Sequence, residues 1–245
     1  MIYEDYRDIP ADVLADMVIL DTPWNSTNID FDRAGFNLDD LARRIRTRLK
    51  PAGWLFMFGT LQMAALMLSH YEHKFDYIWK KPTGPALRKA SVGPIKVHEM
   101  IYVYIQKELK VMSDLYVDRM ALRTKGKPYN WRSTRTGSEY CKAYGHDTKV
   151  SRIDNPGYRE GKSVLEFKNK VHMNPEERTT HPTQKPLDLI RLLIRAYCPP
   201  GGLVLDPTLG SGTTAEAAEL ENRRWVGAES DAKWRRVIAK RLGAA

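Results

Sequence analysis

The chain has 245 residues, of which 42% are hydrophobic and 28% charged, a globular composition that argues against extensive disorder. Its 39 Lys and Arg residues exceed 30 Asp and Glu, and the resulting net charge of +9 favours an anionic partner, nucleic acid first. Two cysteines without a Cys/His cluster argue against a disulfide framework and a zinc site, so we expect no metal. The polar, acidic first residues do not resemble a signal peptide, and no apolar run is long enough for a membrane span, so we expect a cytoplasmic protein with no membrane partner.

Short apolar runs alternate with segments of helical periodicity along most of the chain. The predicted strands are 17–20, 54–58, 75–79, 100–105, 203–205 and 225–228. The predicted helices are 38–49, 61–69, 186–197, 213–220 and 232–242. This alternation predicts an α/β fold with a mostly parallel sheet covered by helices.

Residues 110–180 form a distinct basic segment in which the apolar periodicity fades and Lys and Arg outnumber Asp and Glu by 15 to 9. Seven aromatic residues are interleaved with these charges, a combination that suits stacking on bases and pairing with phosphates. A solvated loop region is the alternative interpretation. We expect Trp131, Arg132 and Arg135 to contact DNA, because planar guanidinium groups pair bidentately with phosphate or guanine.

A glycine-rich loop follows the predicted strand that ends in Asp206, and a predicted helix follows the loop. Gly210 and Gly212 allow the backbone to bend and to approach a ligand, while the helix amino terminus offers free N–H groups. Many nucleotide-binding proteins share this pattern, but no P-loop lysine follows Gly212, which argues against an NTPase. Glu229 ends the next strand, where a carboxylate can accept both hydroxyls of a ribose or can simply be a solvated charge.

A second motif, Asp21-Thr22-Pro23-Trp24, comes directly after the first buried strand. An Asp-x-Pro turn at a strand end is common and is by itself weak evidence of function. Chemically, however, the motif offers an acceptor carboxylate, exposed backbone carbonyls and an indole face. These are the groups needed to hold and stack a planar amine.

Together these motifs resemble those of the β-class amino-group DNA methyltransferases, over about residues 15–107 and 178–242. Residues 21–24 are similar to the family's Asp-Pro-Pro-Tyr/Trp catalytic motif, and residues 206–214 to its Asp-Pro-Phe-x-Gly-Ser-Gly-Thr-Thr S-adenosylmethionine loop. The segment His-Pro-Thr-Gln-Lys-Pro-Leu at 181–187 is similar to the one that precedes this loop. The catalytic motif comes first, which is the circularly permuted order of the β-class. Thr22 and Thr208 depart from the usual Pro and Phe.

The resemblance implies a Rossmann-like fold with helices on both faces and transfer of a methyl group from S-adenosylmethionine to N6 of a flipped-out adenine in double-stranded DNA. Asp21 and the carbonyls around Thr22 and Pro23 would accept hydrogen bonds from the amine, and Trp24 would stack on the base. The implied cofactor contacts are Asp206, Pro207, Thr208, Gly210, Ser211, Gly212 and Thr213 around the methionine part, Glu229 on the ribose, and Thr183, Gln184 and Lys185 near the methionine carboxylate.

The same resemblance divides the chain into a catalytic half at 1–109, a target-recognition insert at 110–180 and a cofactor half at 181–245. For Lys185 a surface lysine at a helix amino terminus is the alternative, and we expect His98 and Glu99 to be structural. Three other functions stay open: an N4-cytosine DNA methyltransferase, a catalytically impaired DNA-binding regulator on the same fold, and an RNA adenine methyltransferase. A homodimer and a cognate restriction enzyme also stay open as partners.

Overall fold

The structure is a computed structural model, and it describes residues 1–23, 36–84, 94–132 and 152–243. It divides into two compact units, one formed by Met1–Asp118 with Ser163–Ala245 and the other by Arg119–Lys162. The strands are β1 Ile2–Tyr3, β2 Ala15–Leu20, β3 Leu49–Gly59, β4 Tyr71–Lys80, β5 His98–Gln106, β6 Thr124–Lys125, β7 Tyr129–Arg132, β8 Arg152–Asn155, β9 Tyr158–Arg159, β10 Val164–Glu166, β11 Leu203–Asp206 and β12 Arg224–Ala228. The α-helices are α1 Leu38–Arg48, α2 Leu61–Met67, α3 Arg119–Leu122, α4 Leu187–Tyr197, α5 Thr213–Leu220 and α6 Ala232–Arg241.

The larger unit contains an eight-stranded sheet in the order β1-β12-β11-β2-β3-β5-β4-β10. Neighbours from β1 to β3 are parallel, whereas β5 runs antiparallel between β3 and β4. The expected α/β fold with a mostly parallel sheet is confirmed. The short strands β1 and β10 were not predicted, because two or three residues carry no measurable periodicity.

One edge of this sheet collects the ends of strands that are distant in sequence. The carboxyl ends of β2, β3, β4, β11 and β12 lie along it, and because β5 is antiparallel its amino end lies there too. We call this the carboxyl edge. Side chains at 21, 81, 98, 99, 206 and 229, which stand at or just beyond these strand ends, are thereby brought to one side of the sheet.

Helices cover both faces of the sheet. Leu55 and Met57 of β3 belong to a buried cluster with residues of α1 and α2. Trp54 and Phe56 of the same strand contact Tyr197 of α4, with ring centroids 5.2 and 4.9 Å apart. Since successive side chains of a strand point to opposite faces, α1 and α2 lie on one face and α4 on the other.

Local side-chain chemistry sets the beginnings of three of these helices. Asn37 caps α1, Thr60 caps α2 and Asp231 caps α6, each accepting a hydrogen bond from a backbone N–H in the first turn. The helix α5 has no such cap and instead begins directly after Gly212, whose φ is +76°. The backbone N–H groups at this helix start are therefore not taken by a capping side chain.

The described residues of the smaller unit, 119–132 and 152–162, include α3 and two antiparallel strand pairs, β6 with β9 and β7 with β8. Glu160 accepts hydrogen bonds from Arg119 and Arg123, at 3.4 and 2.6 Å. This unit lies within the basic segment 110–180, and the role of that segment as a target-recognition insert stays a prediction.

Replacement of Ile45, which is 1% exposed in the cluster around α1, tests the core. We expect Ile45→Ala to lower the free energy of unfolding by about 2–5 kcal/mol, because it removes buried methyl groups and leaves a cavity. Arg43→Ala on the exposed side of the same helix is the control and should cost less than about 1 kcal/mol. Urea unfolding measures both, and equal losses would contradict the assignment of the buried face.

Candidate active site

The carboxyl edge borders a cavity of about 940 Å³. In open α/β sheets, ligands bind beyond the carboxyl ends of the strands, so this is the expected place for a site. Most of the residues singled out from the sequence line it, namely Asp21, Thr22, Pro23, Thr183, Lys185, Asp206, Pro207, Thr208, Gly210, Ser211, Thr213 and Glu229. The two motifs, separated by most of the chain, therefore contribute to one cavity.

Four of the expected site residues lie outside the described part of the larger unit. Trp24 and Arg135 lie outside the described residues, and Trp131 and Arg132 belong to β7 in the smaller unit. Their expected roles with the base and with DNA stay predictions.

Gln184 does not line the cavity. Its Oε1 accepts hydrogen bonds from the backbone N–H and the hydroxyl of Thr179, at 2.8 and 2.9 Å, and its Nε2 donates to the carbonyl of Glu177 at 2.8 Å. The side chain, which is 3% exposed, thus braces the segment before α4. The hydrogen bonds of Gln184 thus hold this segment together, and its expected contact with a cofactor stays a prediction.

Gly212 does not line the cavity, and its expected approach to a ligand stays a prediction. A Cβ atom at this position would lie 3.0 Å from Cγ1 of Ile238 in α6, and the φ of +76° disfavours any side chain. The glycine therefore allows the turn into α5 and the close packing of α6. Gly210 does line the cavity, and a Cβ atom there would lie 3.2 Å from Nε2 of His181.

Glu229 is fixed by the backbone of its own surroundings. Its Oε2 accepts a hydrogen bond from the N–H of Gly210 at 2.8 Å, and its Oε1 accepts one from the N–H of Asp231 at 2.9 Å. Burial raises the pKa of Glu229, and these two hydrogen bonds oppose the rise. Each carboxylate oxygen retains acceptor capacity, so Glu229 is a pre-oriented acceptor at the cavity wall.

Asp206 is 3% exposed at the end of β11. Burial raises its pKa to about 7, although hydrogen bonds from the Thr214 side chain and the Thr208 backbone lower it in part. The Thr208 N–H donates to Oδ1 at 2.9 Å, and the Thr208 hydroxyl lies 3.4 Å from the same oxygen. Thr208, which stands where the family usually has Phe, thus makes a side-chain contact with Asp206 that a phenylalanine could not make.

Asp21 belongs to a chain of alternating charges along the carboxyl edge. Lys185 Nζ donates to Oδ2 of Asp21 and lies 3.7 Å from Oε2 of Glu99. Lys81 Nζ donates to Oε1 of the same glutamate. The side chains of Lys185, Glu99, Lys81 and Asp21 are 9%, 13%, 19% and 24% exposed. Two cations and two anions are therefore held together in a largely buried place.

Burial and charge pairing compete within this chain of charges. Burial raises the pKa of Asp21, and the charge of Lys185 opposes the rise. Burial would also raise the pKa of Glu99, but Lys185 and Lys81 together hold it below its usual value. Burial would lower the pKa of Lys185, but Asp21 and Glu99 raise it above the usual value, so this lysine stays protonated at neutral pH.

Sequence reasoning missed part of this arrangement. Lys81 was not singled out, and Glu99 was expected to be structural. Lys185 was expected near the methionine carboxylate of a cofactor, whereas in the structure its ammonium contacts Asp21 and lies 5.1 Å above the ring of Phe58. The signal for Glu99 in the sequence was its position beside a predicted strand. The sequence does not show in which direction that strand runs, so it could not show that Glu99 lies at the same edge of the sheet as Asp21.

His181 is a further lining residue from the segment before α4. It is 7% exposed and packs edge-on against Trp234, with ring centroids 4.5 Å apart. Burial, assisted by the positive charges of Lys185 and Lys170, lowers its pKa to about 4. The imidazole is therefore neutral at physiological pH and adds no charge to the cavity.

Thr22 carries a buried polar atom. The residue is 2% exposed, and its Oγ1 has no hydrogen-bond partner among the residues that the structure describes. A buried hydroxyl without a partner costs about 1–3 kcal/mol. The departure from proline at 22 thus places an unsatisfied hydroxyl in a residue that lines the cavity.

The described ranges contain neither a candidate metal site nor a candidate membrane-spanning helix. Across 1–23, 36–84, 94–132 and 152–243, no group of three or more His, Cys, Asp or Glu side chains is placed to hold a metal ion. In the same ranges no helix has the length and apolar character needed to cross a membrane.

The fold is that of DNA methyltransferases of known structure. The M1.HpyAVI–SAM complex aligns with a TM-score of 0.63 at 23% identity, covering 99% of both chains. The PvuII DNA methyltransferase (cytosine-N4-specific) aligns with a TM-score of 0.64 at 14% identity, covering 97% of this chain and 82% of that one. The chain belongs to the DNA methylase family N6_N4_Mtase, whose family model matches residues 15–240.

Curated relatives share parts of the sequence. The type II methyltransferase M.BglII of Bacillus subtilis is 39% identical over 93 residues, which cover 38% of this chain and 26% of the relative. The DNA adenine methyltransferase YhdJ of Escherichia coli is 39% identical over 76 residues, 31% of this chain and 26% of the relative. These matches span about a quarter of each relative's length. M1.MboII of Moraxella bovis is 23% identical over 254 residues and covers 94% of this chain and 90% of the relative.

The raised pKa of Asp206 predicts that Asp206→Asn stabilises the protein at high pH. The buried carboxyl holds its proton up to about pH 7 in the folded state, whereas the unfolded chain loses it near pH 3.8. The folded state therefore binds more protons between these values, and wild-type stability falls as pH rises through them. The stability advantage of the variant should grow by about 2–3 kcal/mol between pH 5 and 7 and then level off.

Urea unfolding of the ligand-free proteins across pH 5 to 9 measures this difference. Asp188→Asn on α4 is the control, because its side chain is 78% exposed and its replacement should change the free energy of unfolding little. A difference for Asp206→Asn that is independent of pH would show that the carboxyl is ionised throughout this range.

Proposed function

We propose that the protein transfers the methyl group of S-adenosylmethionine to the N6 amine of a flipped-out adenine in double-stranded DNA. The observation that carries this proposal is the shared cavity, where the Asp21 motif and the glycine-rich loop of Asp206 both form the wall. Membership of the DNA methylase family supports the same reaction class. The net charge of +9 suits a phosphate-rich substrate.

The residues of the cavity fit S-adenosylmethionine. Glu229 is a fixed acceptor of the kind that binds ribose hydroxyls, and the loop from Asp206 to Thr213 leads into a helix start with unused N–H groups. The carboxylate of Asp206 suits a nearby sulfonium, since a positive charge favours its ionised form. When bound, the cofactor supplies an electrophilic methyl group.

Asp21 is the residue that acts on the target amine. Lys185 engages Oδ2, so Oδ1 is the oxygen that accepts a hydrogen bond from the amino group. The nitrogen gains positive charge as the methyl group is transferred, and a carboxylate beside it stabilises that charge more in the transition state than in the ground state. The carbonyls of Thr22 and Pro23 and the indole of Trp24 complete the proposed base pocket.

Adenine is the proposed base because the first position of the motif is Asp21, which in the resembling family accompanies adenine more often than cytosine. Among the relatives, YhdJ is named a DNA adenine methyltransferase, whereas the PvuII enzyme is named cytosine-N4-specific. Digestion of methylated DNA to nucleosides followed by mass spectrometry separates N6-methyladenine from N4-methylcytosine. A homodimer, a cognate restriction enzyme and a cytoplasmic location stay predictions.

Replacement of the catalytic carboxylate should separate chemistry from binding. We expect Asp21→Asn to lower the rate of methyl transfer at least about a hundredfold, because the charge that stabilises the transition state is lost. Affinity for S-adenosylmethionine should change little. Transfer of labelled methyl groups to genomic DNA from a methylation-deficient host measures the rate, and titration calorimetry measures the affinity.

Asp16→Asn is the matched control, because Asp16 lies at the opposite end of the same strand and pairs with Lys50 at 2.8 Å. It should retain a rate close to that of the wild type. A rate for Asp21→Asn that equals this control would remove Asp21 from the chemistry.

Replacement of Glu229 should weaken cofactor binding. Glu229→Gln removes the charge and one of the two acceptors for backbone N–H groups, so we expect S-adenosylmethionine affinity to fall about tenfold to a hundredfold. Glu219→Gln is the control, since Glu219 is exposed and bonds to Trp225 on the surface. Unchanged affinity in a folded Glu229→Gln protein would assign the ribose to other residues.

A further inference from the structure

The ammonium of Lys185 lies between two carboxylates that come from different strands. It donates to Oδ2 of Asp21, which follows β2, and lies 3.7 Å from Oε2 of Glu99 on β5. Glu99 is itself held at its other oxygen by Lys81, which follows β4. Lys185 is only 9% exposed and its ammonium lies 5.1 Å from the centroid of the Phe58 ring. A surface lysine at a helix start does not have these surroundings.

We propose that Lys185 is a positioning residue for methyl transfer. It orients Asp21 through Oδ2 and supplies the positive charge that keeps this carboxyl a hydrogen-bond acceptor. Glu99 and Lys81 hold the ammonium of Lys185 in place. This inference rests on the proposed function. It gives Lys185 a role with the catalytic carboxylate in place of the expected role at the methionine carboxylate of the cofactor.

Burying a carboxylate carries a free-energy cost. A carboxyl removed from water favours its neutral form, and burial does raise the pKa of Asp21. A protonated Asp21 would lose the charge that stabilises a developing cation on the amine. An opposite charge within about 4–6 Å lowers the pKa of a carboxyl by about 1–3 units, so Lys185 offsets the effect of burial.

Glu99 and Lys81 complete the balance of charges around Lys185. A lysine buried beside a single carboxylate could transfer its proton, but the second carboxylate of Glu99 raises the pKa of Lys185 further. Lys81 in turn compensates the charge of Glu99. Three charged groups act on the pKa of Asp21: Lys185 before α4, Glu99 on β5 and Lys81 after β4. The charge of Asp21 in turn raises the pKa of Asp206 at the end of β11. The charge of Lys185 lowers the pKa of His181, which is neutral.

The experiment compares Lys185→Met, Lys185→Arg and the wild-type protein by the pH dependence of kcat at saturating cofactor and DNA. The kcat profile reports groups that titrate in the enzyme–substrate complex. Loss of the ammonium should move the acidic limb to higher pH by about one to three pH units. The loss of activity should therefore be largest at low pH, while Lys185→Arg should keep the limb close to that of the wild type.

Glu99→Gln gives a second test that does not depend on whether Lys185→Met folds. The negative charge of Glu99 raises the pKa of Asp21, so its removal should move the acidic limb to lower pH. The two variants are therefore expected to shift the profile in opposite directions. A loss of structure alone would not produce shifts of opposite sign.

Lys50→Met is the matched control, because Lys50 pairs with Asp16 at the other end of β2. Its profile should equal that of the wild type. Calorimetry measures the affinity of Lys185→Met for S-adenosylmethionine. Weaker cofactor binding by this variant, together with an unchanged pH profile of kcat, would assign the lysine to the cofactor and overturn the inference.

The two levels of the proposal fail in different ways. A wild-type protein that binds S-adenosylmethionine but methylates no DNA would overturn the proposed function, and this inference with it. A wild-type protein that methylates DNA, together with acidic limbs that coincide in wild type, Lys185→Met and Glu99→Gln, would overturn only the inference.

Discussion

The parallel pairing of β2 with β11 is the constraint on which the site depends. Val204 pairs with Met17 and Leu205 with Val18, so the two strands end side by side at the carboxyl edge. Asp206 comes directly after the last pair and Asp21 three residues after it, and the charge of Asp21 raises the pKa of Asp206. Two motifs from opposite ends of the chain therefore share one cavity because of a few backbone hydrogen bonds between two strands. The permuted order of the motifs has no effect on this geometry, since adjacency in a sheet does not require adjacency in sequence.

A charge balance accompanies this pairing. The antiparallel direction of β5 brings Glu99 to the edge where Asp21 lies, and Lys185 and Lys81 compensate the two carboxylates. Buried ion pairs contribute little net stability, because desolvation offsets their attraction, although the loss of one partner is costly. The chain of charges is thus better explained by chemistry than by folding. It places the ammonium of Lys185 beside a buried carboxyl that by itself would tend to be neutral.

The cofactor side of the cavity also contains a buried carboxyl, that of Asp206. Burial raises the pKa of Asp206 to about 7. Glu229 is already oriented by two backbone N–H groups. Groups that are destabilised before binding or fixed in place are typical of sites that gain affinity when a complementary ligand enters. A cationic ligand with hydroxyl groups matches both features.

The sequence by itself determined what depends on neighbours along the chain. Apolar periodicity located the main strands and helices, the turn residues located the strand ends, and the two motifs identified Asp21, Asp206 and Glu229. It did not single out Lys81, and it did not show that Gln184 bonds to the backbone of Glu177 or that Lys185 pairs with Asp21. The expected cofactor contacts of Gln184 and Lys185 stay predictions. These contacts within the protein were decided by the tertiary structure, because strand direction, strand order and ion pairing join residues through space. Periodicity reports only which face of an element is buried, whereas the energy of a buried charge depends on which other charges the fold brings beside it.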